Sequence, residues 1–191
     1  MGAVTVLLAA VCYFYLDRPV AEWVHGLPSA TRAPAKVLTE FGDAAYSLVF
    51  FGVLAAVYWM TGRRETAKRM AYVFACVAVA GILVNLVKPL FGRYRPKPWL
   101  EEGLWGFHPF APFEYEFASC PSGHAAVAMA LAISLINLFP RGWPLWLLFG
   151  ATVALTRVFT LSHFVGDVIL GAYVGTAIAV LLRARMSRAP G

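Results

Sequence analysis

His163 and Asp167 stand four residues apart in a stretch, 156–167, that is otherwise apolar except for Arg157 and a few hydroxyls. On a helix that spacing puts both side chains on one face, within reach of a hydrogen bond. A carboxylate that holds one imidazole nitrogen fixes the tautomer and leaves the other nitrogen as a directed nucleophile or base. Arg157, six residues earlier, would face elsewhere on one continuous helix. The three meet most readily if one apolar helix ends near Arg157, the chain turns through 160–162, and the next helix starts at His163. A buried ion pair that glues two helices is the plainer alternative. Charges in so apolar a setting are expensive, and chemistry is the better reason to keep them.

Two other clusters could act on the same kind of substrate. Lys88 and Arg95 lie at the end of an apolar run and offer a point cation and a planar fork, a pair suited to phosphate. Taken alone they read equally well as snorkelling anchors. Pro121-Ser122-Gly123-His124 opens another apolar run. Ser122 suits an N-cap, and the free N–H groups of a helix start beside Gly123 bind anions. His124 would stand next to that anion, placed to protonate a leaving oxygen. Four residues by themselves fit a capped helix with an incidental histidine as well.

The elements that must position these groups follow from composition. Of 191 residues 60% are hydrophobic and only 14% charged, with a mean hydropathy of +0.68. That excludes a soluble globule and points to an all-α integral membrane protein. The net charge of +6 does not indicate nucleic acid, because the basic residues terminate apolar runs instead of forming a solvated patch. Cys12, Cys76 and Cys120 are an odd set with no disulfide framework. Apolar runs at 1–16, 44–61, 70–90, 125–139, 143–156 and 164–182 predict six transmembrane helices in a single domain, 1–191. Between the first two, Pro19, Pro28 and Pro34 predict short interfacial pieces. Between the third and fourth, the long polar connection carries Trp99, Trp105, Phe107, Phe110, Phe113, Tyr115 and Phe117, as expected of a segment at the membrane interface.

Six spans put the 62–69 loop, Arg141, Arg183, Arg185 and Arg188 on one side. With the cations of the three clusters set aside, the positive-inside rule makes that side cytoplasmic. All three clusters then fall at helix ends on the periplasmic or extracellular face, at the depth of a phospholipid phosphate. Other polar groups are read as bystanders. Arg93 and Lys97 read either as attracting anionic headgroups or as solvated anchors, and Asn85 reads as helix–helix glue. Glu101, Glu102, Glu114, Glu116 and His108 lack the spacing of a metal site.

Taken together, Lys88-(six residues)-Arg95-Pro96, Pro121-Ser122-Gly123-His124 and Thr156-Arg157-(five)-His163-(three)-Asp167 resemble, in order and spacing, the signature of the type 2 phosphatidic acid phosphatase superfamily. Thr156 departs, standing where the family usually has serine. The resemblance implies a membrane lipid phosphate phosphatase that uses no metal or cofactor. In it His163, oriented by Asp167, would attack phosphorus and form a phosphohistidine. His124 would protonate the leaving group and later activate water. Lys88, Arg95, Arg157, Ser122 and the Gly123 N–H would hold the equatorial oxygens. The implied substrates are phosphatidic acid, phosphatidylglycerophosphate or undecaprenyl diphosphate, drawn from the surrounding membrane lipids. Two alternatives are a vanadate-binding, haloperoxidase-like enzyme, which would be soluble, and a non-hydrolytic lipid-phosphate binding or transport protein. The latter should spread its charges through the spans.

Overall fold

The computed structural model describes residues 2–112 and 114–186, so Phe113 and Arg188 lie outside it. Among the described residues the regular elements are helices, apart from isolated bridges from Arg93 to Phe107 and Ala118. We number them α1 (Gly2–Gly26), α2 (Ser29–Leu38), α3 (Ala44–Met60), α4 (Arg64–Phe91), α5 (Pro96–Glu102), α6 (Gly123–Leu138), α7 (Trp143–Phe159) and α8 (Val165–Met186). The six apolar helices α1, α3, α4, α6, α7 and α8 form the membrane bundle in the expected order. The short α2 and α5 fall between the first and second and between the third and fourth.

The first helix runs further than its sequence suggests. Pro19 would clash with the carbonyl of residue 15 in a regular α-helix. A π-helical turn, Cys12–Leu16, precedes it and widens the ladder there, so α1 continues through the proline to Gly26. The extension carries Asp17 into the interior, where it is 1% exposed.

At the centre lies α6. Its 16 residues are fewer than the roughly 20 a span needs, and it is surrounded by α4, α7 and α8. Ala125, Ala126, Ala128, Ala130 and Ala132 are fully buried, and small side chains let helix backbones approach closely where lipid gives no hydrophobic drive. On α8 the matching surface is glycine. A Cβ on Gly171 would overlap the carbonyl oxygen of Ser122, and one on Gly175 that of Ala126. The α4 side is built from Val73, Val77, Ala80 and Val84, at helical spacing and buried. Tyr72 donates to the carbonyl of Ala179 at 2.8 Å and accepts from Asn137 at 2.8 Å, which joins α4, α6 and α8 through one polar contact chain.

Candidate active site

Because α8 packs its glycines against α6, the start of α6 is pinned. The Ser122 N–H donates to the carbonyl of Asp167 at 3.0 Å, and the Ser122 hydroxyl accepts from Ala125 N–H as an N-cap. The last turn of α4 brings Lys88 to the same place: a Cβ built on Gly123 would lie 3.8 Å from its Nζ. Gly92, at φ +55°, ends α4 in the left-handed conformation and turns the chain toward Arg95. That guanidinium donates Nε to the carbonyl of Tyr115 (2.8 Å), Nη2 to Ala118 (3.1 Å) and Nη1 to Ser162 (3.2 Å), with the Tyr115 ring 3.9 Å away. From the end of α7, Arg157 donates Nη1 to the Thr39 hydroxyl at 2.6 Å. Its Nε is buried with no hydrogen-bond partner among the described residues. An orphaned, buried cationic donor asks for an acceptor that the protein does not supply.

These groups surround a cavity of 340 Å³ lined by Lys88, Arg95, Gly123, His124, Arg157 and His163, with Asp43, Asn85 and Tyr115 in its wall. Ser122 sits just behind it as the helix cap. His163 is 2% exposed, and its Nδ1 is 2.7 Å from the carbonyl oxygen of Ser119. A carbonyl can only accept, so that contact assigns the proton to Nδ1 and leaves Nε2 with its lone pair. Burial pushes the imidazole pKa well below its ordinary value, and Arg95, Arg157 and Lys88 push it further the same way. Both effects favour the neutral imidazole, the form a nitrogen nucleophile needs.

An imidazole with one free nitrogen, sharing a cavity with three cations and a helix start, is an arrangement suited to phosphoryl transfer. The family comparison agrees, since the PAP2 superfamily model matches residues 69–189. The chain belongs to the PAP2 superfamily. A lipid A 1-phosphatase of Rhizobium etli is 30% identical over 93% of this chain and 80% of its own. The undecaprenyl-diphosphatase BcrC of Bacillus subtilis is 27% identical over 90% of this chain and 84% of its own. In fold, the chain resembles the crystal structure of a transmembrane PAP2-type phosphatidylglycerolphosphate phosphatase from Bacillus subtilis, with a TM-score of 0.72 and 17% identity over 98% of this chain and 94% of that one.

Several parts of this PAP2 site differ from the reading of the sequence. Asp167 does not bond His163 directly. The i, i+4 rule needs both residues on one helix, but α8 begins at Val165, so His163 lies in the turn before it. Asp167 instead accepts from the Ser119 hydroxyl (2.6 Å) and the Phe164 N–H (3.0 Å), while Ser119 holds the imidazole through its carbonyl. Nor is Arg93 a solvated anchor. It is 2% exposed and donates to Asp167 and to Asp17, each at 2.6 Å. Burial opposes its charge, yet Asp167 and Asp17 together hold its pKa above the ordinary value. Lys97, by contrast, stays exposed beside Glu101.

Not all of the aromatic loop is exposed: Trp105 is half-buried, with Arg93 5.5 Å from its ring centroid, whereas Phe107 stays exposed although Arg93 lies 5.3 Å from its centroid. Asn85 is exposed toward the cavity instead of joining helices. Thr156 spends its hydroxyl on the Val153 carbonyl of its own helix, at 2.6 Å, and is not among the residues that line the cavity. The segment before α3, which its sequence marks only as interfacial, also helps build the site. It supplies Thr39 to Arg157 and lays Gly42 against His124, so close that a Cβ there would come within 3.1 Å of the His124 Cβ.

Proposed function

We propose that this PAP2 phosphatase removes a terminal phosphate from a membrane lipid mono- or diphosphate through a phosphohistidine on His163, without a metal or cofactor. The observation that carries the reading is His163, its Nδ1 tied to Ser119, lining one cavity with Lys88, Arg95 and Arg157. The Nε2 lone pair forms the N–P bond as the bond from phosphorus to the lipid oxygen breaks, and His124 gives that oxygen a proton. His124 then takes a proton from water, the water oxygen bonds to phosphorus, and the N–P electrons return to Nε2 as inorganic phosphate leaves. Throughout, Nδ1–H stays on the Ser119 carbonyl. Charge spreads over the equatorial oxygens in such a transfer, so preorganised cations and the N–H groups at Gly123 carry much of the acceleration. Asp167, in this scheme, positions His163 through Ser119.

The cations gather at one end of the bundle, as a hydrolytic site requires and a permeation path does not. Residues 1–191 are read as one domain, since α3, α4, α6, α7 and the turn before α8 all contribute to the cavity. The opposite end carries Arg63, Arg64, Lys68, Arg69, Arg141, Arg183 and Arg185, which supports a cytoplasmic placement for it and a periplasmic or extracellular one for the site.

The test is phosphate release in detergent with EDTA, from phosphatidic acid, phosphatidylglycerophosphate, undecaprenyl diphosphate and a lipid A 1-phosphate. Turnover of at least one that EDTA leaves intact is expected. Turnover abolished by EDTA would overturn the metal-free route, and release from none would overturn the assignment. On the substrate that works, Arg157→Ala should lower kcat about a hundredfold, some 3 kcal/mol, as loss of one preorganised donor to a developing charge does. A loss confined to KM would mean that Arg157 only binds.

A further inference from the structure

The cluster behind His163 contains one cation and two carboxylates, and the count matters. Arg93 donates Nη1 to Asp167 Oδ1 and Nη2 to Asp17 Oδ2, each at 2.6 Å, with its side chain 3% exposed and both carboxylates wholly buried. With Asp167 alone, Arg93 would form a neutral pair, and no net charge would stand behind the imidazole. Asp17 engages the other edge of the guanidinium and is held in place by the Gly166 N–H, which donates to its Oδ1 at 3.0 Å. With both carboxylates ionised, the cluster carries one net negative charge. The rings of Tyr13, Trp105, Phe107 and Phe164 lie around Arg93, with centroids 4.7 to 5.5 Å from its guanidinium carbon, and the side chain is only 3% exposed, so water screens that charge little.

The charge reaches His163 through a single residue. Ser119 donates its hydroxyl to Asp167 Oδ2 (2.6 Å) and its N–H to the Arg93 carbonyl (3.1 Å), and its own carbonyl holds Nδ1–H (2.7 Å). When Nε2 bonds to phosphorus, the ring becomes an imidazolium. Lys88, Arg95 and Arg157 on the cavity side oppose that positive charge, so a counter-charge is needed on the far side. We propose that Asp17 and Arg93 are positioning residues for phosphoryl transfer: Arg93 clamps Ser119 and Asp167 behind His163, and Asp17 keeps the assembly negative. The first transmembrane helix then takes part in catalysis instead of serving only as an anchor. This rests on His163 being the nucleophile.

The test compares Asp17→Asn, which keeps the shape and can still accept from Gly166, with Asp17→Glu, which keeps the charge. Rates are normalised to folded protein, and inorganic phosphate is titrated as a competitive inhibitor. Expected is a fall in kcat of roughly tenfold or more for Asp17→Asn, with KM and the phosphate inhibition constant within about twofold, and rescue by Asp17→Glu to within about threefold of wild type. A tie that only holds α1 to α8 would behave otherwise. Asp17→Asn would keep its kcat per folded molecule, or both variants would lose kcat, phosphate binding and melting temperature together; either result overturns the proposal. His163→Ala, run alongside, separates this inference from the one beneath it. Turnover surviving in that variant removes the nucleophile and the proposal with it, whereas loss there with Asp17→Asn intact overturns only the proposal.

Discussion

Alanine at position 163 is expected to reduce phosphate release by roughly ten-thousandfold or more, the scale seen when a nucleophile acting as one unit with its partners is removed. The other candidate groups in the cavity have other tasks, Asp43 capping α3 through the Ala45 N–H. His124 stands with Gly42 packed against it, and Lys88 is one of the cations that must hold the phosphate. What remains is water oriented by the three cations. Those cations are untouched, so inorganic phosphate should still inhibit residual turnover or compete for binding within about threefold of wild type. Acid-labile, alkali-stable phosphoprotein, trapped by rapid quenching from the wild type, should vanish. If it persists in His163→Ala, another nucleophile carries the phosphoryl group.

The second large effect lies away from the chemistry. Gly175→Val places a branched side chain where even a Cβ overlaps the Ala126 carbonyl and crowds the Ala130 nitrogen. Backbone cannot move aside as a flexible side chain would, so α6 and α8 must separate. Overpacking a core usually costs about 1–3 kcal/mol, and a clash with main chain at the centre of the bundle belongs at or above the top of that range. A lower melting temperature in detergent and a lower monodisperse yield should report it. Activity should fall as well, because the same face of α8 carries Gly171 against Ser122 and Asp167 against Ser119. Gly26→Ala is the control, since a Cβ there meets nothing within 4 Å. Equal behaviour of the two variants would show that the α6–α8 contact is loose.

The groups that meet at the cavity were legible because each announces itself locally. Lys88 and Arg95 flank a helix end, Ser122 caps a helix, and a histidine and an arginine break an apolar stretch. The scaffold behind them was not, because its partners are remote. Arg93 reads as one more cation beside Arg95 until Asp167 and Asp17 arrive from 74 and 76 residues away, and Thr39 reaches Arg157 across 118. Asp17 was hidden for a second reason. Pro19 looks like a break, and nothing in the sequence signals that a π turn will absorb it. The His163–Asp167 pairing misses by two residues, because the i, i+4 spacing holds within a helix and the last helix starts only at Val165. Helix type and order, by contrast, follow from long apolar runs, and the six-helix membrane fold emerged as read.

The shortness of α6 has a further meaning. Its cap, Ser122, lies beside Gly171, six residues below the first residue of α8, a depth of roughly 9 Å at 1.5 Å per residue. The floor of the reaction chamber is thus sunk beneath the rim formed by its neighbours. Under the proposed reading, a lipid phosphate held in the leaflet should reach that level more readily than a dissolved ester, and lipid phosphates should be hydrolysed in preference to soluble ones.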